Sequence, residues 1–394
     1  MNPLLLPQIQ EYIIAHEQAD EHALVLQHPT IHGCRTNEVA AQIAARRKAK
    51  SKFPFLYHAK NILYPPTVNL EQSSSEATAR FKAALFSGVV AADLTGGFGV
   101  DSFFLSQRFE TTYYVEPNQD VFEIARSNHK TLGAHSIQHI SSTAEEFLNT
   151  ATSLPDLVYL DPSRRSLSNK KVFRFTECTP NIISLLPSLL KARQTLIKAS
   201  PWLDISLAIN DLLQVRKVLV VAVGNECKEI LFCLSPGVQS APAIEAVDLL
   251  PDGSVQRSFS FTLKEERMAA VTYADPDRFI YEPSAAIRKA GAFRMVSSRF
   301  GLGKLAANTH LYTSSTPIEG FPGKIFQVLE WIKPDPKQLS GFLPEGKANI
   351  IARNYPLTPD QLKKKLKLED GGDRFIIGFT GLKKKYLALA VRVC

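Results

Sequence analysis

The sequence predicts an α/β protein centred on a largely parallel sheet, and three features carry that expectation. A glycine-rich turn, Asp93-Leu94-Thr95-Gly96-Gly97-Phe98-Gly99, directly follows the apolar run Val89-Val90-Ala91-Ala92. Beyond it, short β-branched and aromatic runs alternate with helix-like stretches at the spacing of βαβ units. Lys217 to Val223 is a continuous apolar strand of the kind that a sheet covered on both faces buries.

The turn comes first. Glycine tolerates positive φ and has no Cβ to hold a ligand off the backbone. A strand–turn–helix junction of this kind commonly receives an adenosine-type cofactor. The dinucleotide fingerprint fits badly, because Ser102 stands where its third glycine would pack helix on strand. Thr111 to Val115 reads as the second strand and ends at Glu116, 23 residues beyond Asp93. A carboxylate there can accept both hydroxyls of a ribose; read alone, it is a helix N-terminal charge ahead of the helix over 119–131.

Ser136 to Ile140 suggests a third strand, followed by Ser142 and Glu145 at capping-box spacing. Asp156 to Leu160 is the fourth and ends in Asp161-Pro162-Ser163-Arg164-Arg165. An Asp-Pro turn is ordinary, but this one falls at the carboxyl end of a strand, where open α/β sheets place their reaction crevice. Paired guanidiniums there can fork onto phosphate or stack on a base. Gln194 to Ala199 reads as strand five, with a helix to about 213, and 229–234 as the antiparallel partner of 217–223. Upstream, Ser73 and Glu76 have capping-box spacing ahead of an alanine-rich helix.

The remainder is mixed α+β. Residues 245–264 read as a hairpin around Pro251-Asp252-Gly253-Ser254. Residues 281–291 read as a helix stopped by Gly291, and Thr358-Pro359-Asp360 as the cap of a short basic helix. Strands are expected near 321–328, 348–356, 374–379 and 386–393.

Composition bounds the setting. A chain of 394 residues implies two or three domains. It has no apolar run of about 20 residues to span a membrane. Its start lacks the basic n-region and apolar core of a signal peptide, and its five cysteines are scattered with no Cys-x-x-Cys. A cytoplasmic protein with reduced thiols and no metal is expected. The net charge of +8 is uneven. Residues 333–394 hold 13 Lys+Arg against 6 Asp+Glu, and residues 35–60 hold 7 against 1. Basic clusters at Arg46–Lys52, Lys363–Lys367 and Lys383–Lys385 suit phosphate neutralisation, and a nucleic-acid partner is expected.

Asp93-x-x-x-Gly97-x-Gly99 resembles motif I of class I S-adenosylmethionine-dependent methyltransferases, and Asp161-Pro162 resembles their motif IV. Together with Gln72-Ser73-Ser74-Ser75-Glu76, Tyr281-Glu282-Pro283 and Arg353-Asn354, these residues resemble a bacterial methyltransferase family with C-terminal ferredoxin-like and THUMP-like domains. The resemblance implies a Rossmann-like seven-stranded sheet over residues 66–240, a helical region at 1–65, a hairpin plus ferredoxin-like domain at 241–320 and a THUMP-like domain at 321–394. It implies S-adenosyl-L-methionine as cofactor, near Gln72, Ser74, Asp93, Thr95, Gly96, Gly97, Gly99, Asp101 and Glu116, with Thr143 and Ala144 beside the adenine. Asp161 and the Pro162 carbonyl would orient the acceptor and receive its proton, with Ser163, Arg164 and Arg165 around it. Ser163 and Arg164 depart from the motif, which continues there with a second proline and a base-stacking aromatic. The absence of a cysteine at this loop argues against a covalent C5-pyrimidine route. THUMP domains bind RNA, so a methyltransferase of transfer or ribosomal RNA is the expectation. A protein or small-molecule methyltransferase, or a non-catalytic RNA binder with a vestigial cofactor fold, are the alternatives.

Overall fold

The structure, a computed structural model, describes residues 2–27, 29–151, 153, 155–163 and 174–393. The chain divides into two compact units, residues 1–224, 228–242 and 249–256 in the first and 225–227, 243–248 and 257–394 in the second.

The first unit begins with helices Pro7–Ala15, Glu21–Gln27 and α1 (Thr36–Lys52). Ile9, Ile13, Leu24, Val39 and Ile43 close a small core between them. Seven strands of the large sheet follow: β1 (Gly88–Asp93), β2 (Phe109–Val115), β3 (Ile137–Ile140), β4 (Leu157–Leu160), β5 (Gln194–Ala199), β6 (Val215–Val223) and β7 (Glu226–Leu234). Their order is β6-β7-β5-β4-β1-β2-β3. Strands β1 to β5 run parallel and β7 antiparallel to β5. All four residues of β4 are buried, which is why the segment reads as an uninterrupted apolar run rather than an alternating one.

This order places a crevice. From β1 the chain winds outward through β2 and β3, then returns to β4 on the other side of β1. The carboxyl ends of β1 and β4 therefore flank a topological switch point, where open α/β sheets bind ligands. Helix α2 (Glu76–Ala84) precedes β1, α3 (Val100–Leu105) follows its glycine turn, and α4 (Gln119–Thr131) follows β2.

Two helix starts differ from expectation. Ser75, not Ser73, caps α2, its Oγ accepting from the Thr78 N–H at 3.3 Å. Ser73 instead turns its hydroxyl onto the Asn69 carbonyl at 2.6 Å, and Glu76 accepts from the Phe55 N–H at 2.8 Å. The box expected at Ser142 and Glu145 is formed one residue on, by Thr143 and Glu146. Runs of serine and glutamate offer several equivalent caps, and spacing alone does not choose among them.

The second unit carries a seven-stranded sheet of β8 (Phe279–Pro283), β9 (Gly303–Ala306), β10 (Thr309–Ser314), β11 (Gly323–Trp331), β12 (Asn349–Arg353), β13 (Arg374–Thr380) and β14 (Lys385–Arg392). Its order is β9-β10-β8-β11-β14-β13-β12. Gly291 ends the helix Ala285–Ala290 in the left-handed conformation. The basic helix Pro359–Leu366 starts with a Thr358–Gln361 capping box. Two segments singled out in the sequence meet here: Arg353 Nε donates to Glu282 Oε1 at 2.8 Å, and Arg288 pairs with the same oxygen at 2.9 Å.

Candidate functional site

The site grows from the end of β1. Asp93 is the last residue of that strand and 1% exposed. Its Oδ1 accepts from the Thr95 N–H at 3.1 Å and its Oδ2 from the Ser102 hydroxyl at 2.6 Å. Burial pushes its pKa up to about 7, helped by the neighbouring Asp101 charge and opposed by those two donors. Thr95 ties the turn to β4, because its Oγ1 accepts from the Asp161 N–H at 2.6 Å. The two motif loops thus share a hydrogen bond.

The three glycines do different work. A Cβ at Gly96 would stand 2.3 Å from the Tyr114 ring, and one at Gly99 2.6 Å from the His129 ring. Both glycines let side chains beneath the turn pack against backbone. At Gly97, φ is +52°, and a Cβ would approach nothing closer than the Thr95 carbonyl at 3.7 Å. That position is open. The Gly97 N–H donates to Glu116 Oε2 at 2.9 Å, and the Asn118 N–H to Glu116 Oε1 at 2.8 Å. Each carboxylate oxygen retains a lone pair beyond those two donors. An open glycine, a buried carboxyl and a second, half-buried carboxylate fit a cationic adenosine cofactor bearing ribose hydroxyls.

Asp101, in the first turn of α3, is enclosed. Its Oδ2 accepts from Ser74 Oγ at 2.7 Å and from the Tyr159 hydroxyl at 3.0 Å, and its Oδ1 lies 3.2 Å from Lys82 Nζ. Burial alone would raise its pKa; Lys82, Lys198 and the two hydroxyls outweigh it and hold it low. Lys82 is 1% exposed and donates to both oxygens of Glu229 at 2.9 Å and to Ser74 at 2.9 Å. Sequence reading missed Lys82 and Glu229, which are 147 positions apart.

Asp161 follows β4, and its carboxylate pairs with Lys198 on β5. Lys198 too was missed. Burial works against its charge, yet Asp161, Glu229 and Asp101 overcompensate and raise its pKa. Pro162 is buried, and Ser163 exchanges two backbone hydrogen bonds with Thr179, at 2.8 and 3.0 Å. A cleft opens beside this loop, lined among others by Pro162, Arg174, Phe175, Cys178, Lys198 and Ser200. The sequence placed no thiol at this loop; the fold brings Cys178 to it. Arg164 and Arg165 lie outside the described residues.

Three expected cofactor neighbours sit as follows. Gln72 is exposed at the end of the helix Thr67–Gln72. Thr143 is occupied as a helix cap, and Ala144 is buried beside it. Among the described residues, no cluster of three or more His, Cys, Asp or Glu could hold a metal, and no helix is long and apolar enough to cross a membrane.

The basic clusters separate. In α1, Arg46 pairs with Glu17 at 3.4 Å and covers the Tyr57 ring at 4.4 Å, Arg47 pairs with Glu21, and Lys48 with Glu71 at 2.8 Å. Lys52 donates to the carbonyls of Leu70 and Glu71 at 2.7 and 2.8 Å. This cluster is largely engaged within the chain. Lys364, Lys365 and Lys367 are exposed and make no ion pair among the described residues. Lys383 reaches Asp275 at 3.4 Å, while Lys384 lies 5.1 Å over the Tyr386 ring.

Comparison with known proteins agrees with this architecture. Residues 279–322 match a family described as a ferredoxin-like domain, and residues 323–392 one described as THUMP domain-like. A crystal structure of a protein from Porphyromonas gingivalis W83, described as a methyltransferase, is 31% identical, with a TM-score of 0.85 over 98% of each chain. Two Mycobacterium tuberculosis proteins, described as uncharacterized S-adenosylmethionine-dependent methyltransferases, are 22% identical over 303 residues, 76% of this chain and 79% of theirs. The chain belongs to the family of class I S-adenosylmethionine-dependent methyltransferases that end in ferredoxin-like and THUMP-like domains.

Proposed function

We propose that the protein methylates RNA. The observation that carries this reading is the set of exposed lysines Lys364, Lys365 and Lys367, without carboxylate partners among the described residues, inside the THUMP-like segment. Unpaired surface cations release counterions when they meet phosphates, which gives salt-sensitive affinity that is largely blind to sequence.

S-adenosylmethionine supplies an electrophilic methyl group on a sulfonium. The chain's own residues supply position. Asp93, once ionised, accepts from the cofactor's ammonium; the open backbone at Gly97 admits it; Glu116 accepts from ribose hydroxyls. Ser74 and Asp101 support the same side, with Gln72, Thr95, Gly96, Gly99, Thr143 and Ala144 around it. Asp161, tied to the glycine turn through Thr95, and the Pro162 carbonyl accept from the group to be methylated. Holding acceptor and methyl in line is the main source of rate in such a displacement, because it replaces a bimolecular encounter with an oriented one.

The test is mass spectrometry of nucleosides from cells lacking the gene. One methylated nucleoside should disappear, and the purified protein should restore it on RNA from those cells. An unchanged nucleoside profile, together with no transfer to that RNA, rejects the proposal.

A further inference from the structure

After Asp161-Pro162 the sequence has Ser163 and Arg164 where related sites have a second proline and a base-stacking aromatic. Ser163 has its backbone locked to Thr179, and its hydroxyl donates to the Thr179 carbonyl at 3.2 Å. Leu160 and Ile197 are register partners on the parallel strands β4 and β5, so Asp161 and Lys198 follow them side by side.

Their hydrogen bonding is incomplete. Among the described residues, Asp161 spends Oδ2 on Lys198 and leaves Oδ1 without a partner. The Lys198 ammonium has three N–H donors, and among the described residues only the one to Asp161 is used. The Asp161 side chain is 29% exposed and that of Lys198 13%, with Lys198 in the wall of the cleft.

We infer that Asp161 and Lys198 act as one donor–acceptor couple that reads the edge of the base to be methylated. The carboxylate accepts an N–H, and the ammonium donates to a neighbouring oxygen or ring nitrogen. An amidine- or amide-like edge meets both demands, as in the N–H and lone pair that stand together on adenine, cytosine or guanine. A simple amine or hydroxyl carries its donor and its lone pair on one atom, whereas such an edge presents them on two neighbouring atoms, one for each partner. Lys198 is thereby a specificity-determining residue. This rests on the RNA reading above.

Calorimetric titration of adenosine, cytidine and guanosine 5′-monophosphates into protein saturated with S-adenosylhomocysteine tests it, with ribose 5-phosphate as the baseless control. At least one nucleotide should bind more tightly than ribose 5-phosphate. Lys198→Met and Asp161→Ala should each weaken that nucleotide by about tenfold or more, and Lys198→Arg should recover most of the loss. Unchanged S-adenosylhomocysteine affinity in each variant shows that the fold is kept. Equal binding of nucleotide and ribose 5-phosphate, indifference to Lys198→Met, or no nucleotide binding by the unaltered protein overturns the inference. None of these decides the RNA reading, which stands or falls on methylation of RNA from cells lacking the gene.

Discussion

His129 Nε2 lies 2.9 Å from the carbonyl oxygen of Gly99, so an imidazole forms the floor of the glycine turn. Burial pushes the His129 pKa down to about 4, and the ring is neutral in working conditions. Nε2 then donates to Gly99, while Nδ1, 2.9 Å from His139 Nε2, accepts from it.

Gly99 and Gly97 should therefore fail in different ways. Gly99→Ala puts a Cβ 2.6 Å from His129 at a φ of +82° and should destabilise the fold by about 2–4 kcal/mol, read as a fall in the urea midpoint. Gly97→Ala meets no clash within the chain and should cost only about 1–2 kcal/mol for its left-handed backbone. Its main effect should be lost affinity for S-adenosylmethionine. Equal destabilisation by both would show that the turn is packed uniformly rather than open at one residue.

Asp93 gives a pH signature. Its folded pKa, about 7, lies above its ordinary value, so folding favours the protonated form. Between about pH 4 and 7 the folded state holds the extra proton, and stability falls as pH rises through that window. Asp93→Asn removes the buried charge and keeps the acceptor for the Thr95 N–H, while its amide NH2 donates to the Ser102 hydroxyl oxygen instead of accepting from it. The variant should melt higher than the unaltered protein above pH 7 and match it near pH 4. Cofactor affinity should drop in the variant, and in the unaltered protein it should decline as pH falls below about 7. A melting difference independent of pH would refute this account.

The Lys82–Glu229 pair should be costly to halve. Both side chains are 2% exposed. Lys82→Met leaves a buried carboxylate without its main partner and should destabilise by about 3–5 kcal/mol. Adding Glu229→Leu should recover most of that loss, because two apolar side chains replace an ion pair at no comparable desolvation cost. Chemical denaturation of the two variants decides the matter. A double variant no better than the single one would mean that Glu229 is held chiefly by other groups.

Salt dependence should separate the basic clusters. Replacing Lys364, Lys365 and Lys367 by Ala should weaken RNA binding and lower the slope of log affinity against log salt by about 2–3. Arg46→Ala should leave that slope unchanged and instead lower stability by about 1–2 kcal/mol, through the lost Glu17 pair and Tyr57 contact. Filter binding across a salt series, with thermal melting alongside, reads both. A slope that depends on Arg46 and not on the C-terminal lysines would move the RNA surface to the other end of the chain.

Much of the first unit was legible because its signals are local. The strand at Leu157–Leu160 announces itself by four consecutive buried residues, and the turn at Gly96–Gly99 by residues that only an unusual backbone requires. Helix caps were less legible: Ser73, Ser74 and Ser75 are equivalent as letters, and in the fold Ser73 bonds the Asn69 carbonyl, Ser74 bonds Asp101 and Ser75 caps the helix. Lys198 and Glu229 lie inside strands whose apolar pattern hides them, and Cys178 is separated in sequence from the loop it adjoins.

The sequence by itself determined the alternation of strands and helices, the glycine turn and the two acidic strand ends, because side-chain period and backbone freedom act between near neighbours. Tertiary structure decided which charges are spent and which remain. Arg46, Arg47 and Lys82 found carboxylates within the fold, and Asp93 was driven toward its neutral form by burial. Lys198 was set against Asp161, while Lys364, Lys365 and Lys367 stayed in solvent. Solvation and pairing depend on what packs nearby in space, and most of these partners are far apart in the chain.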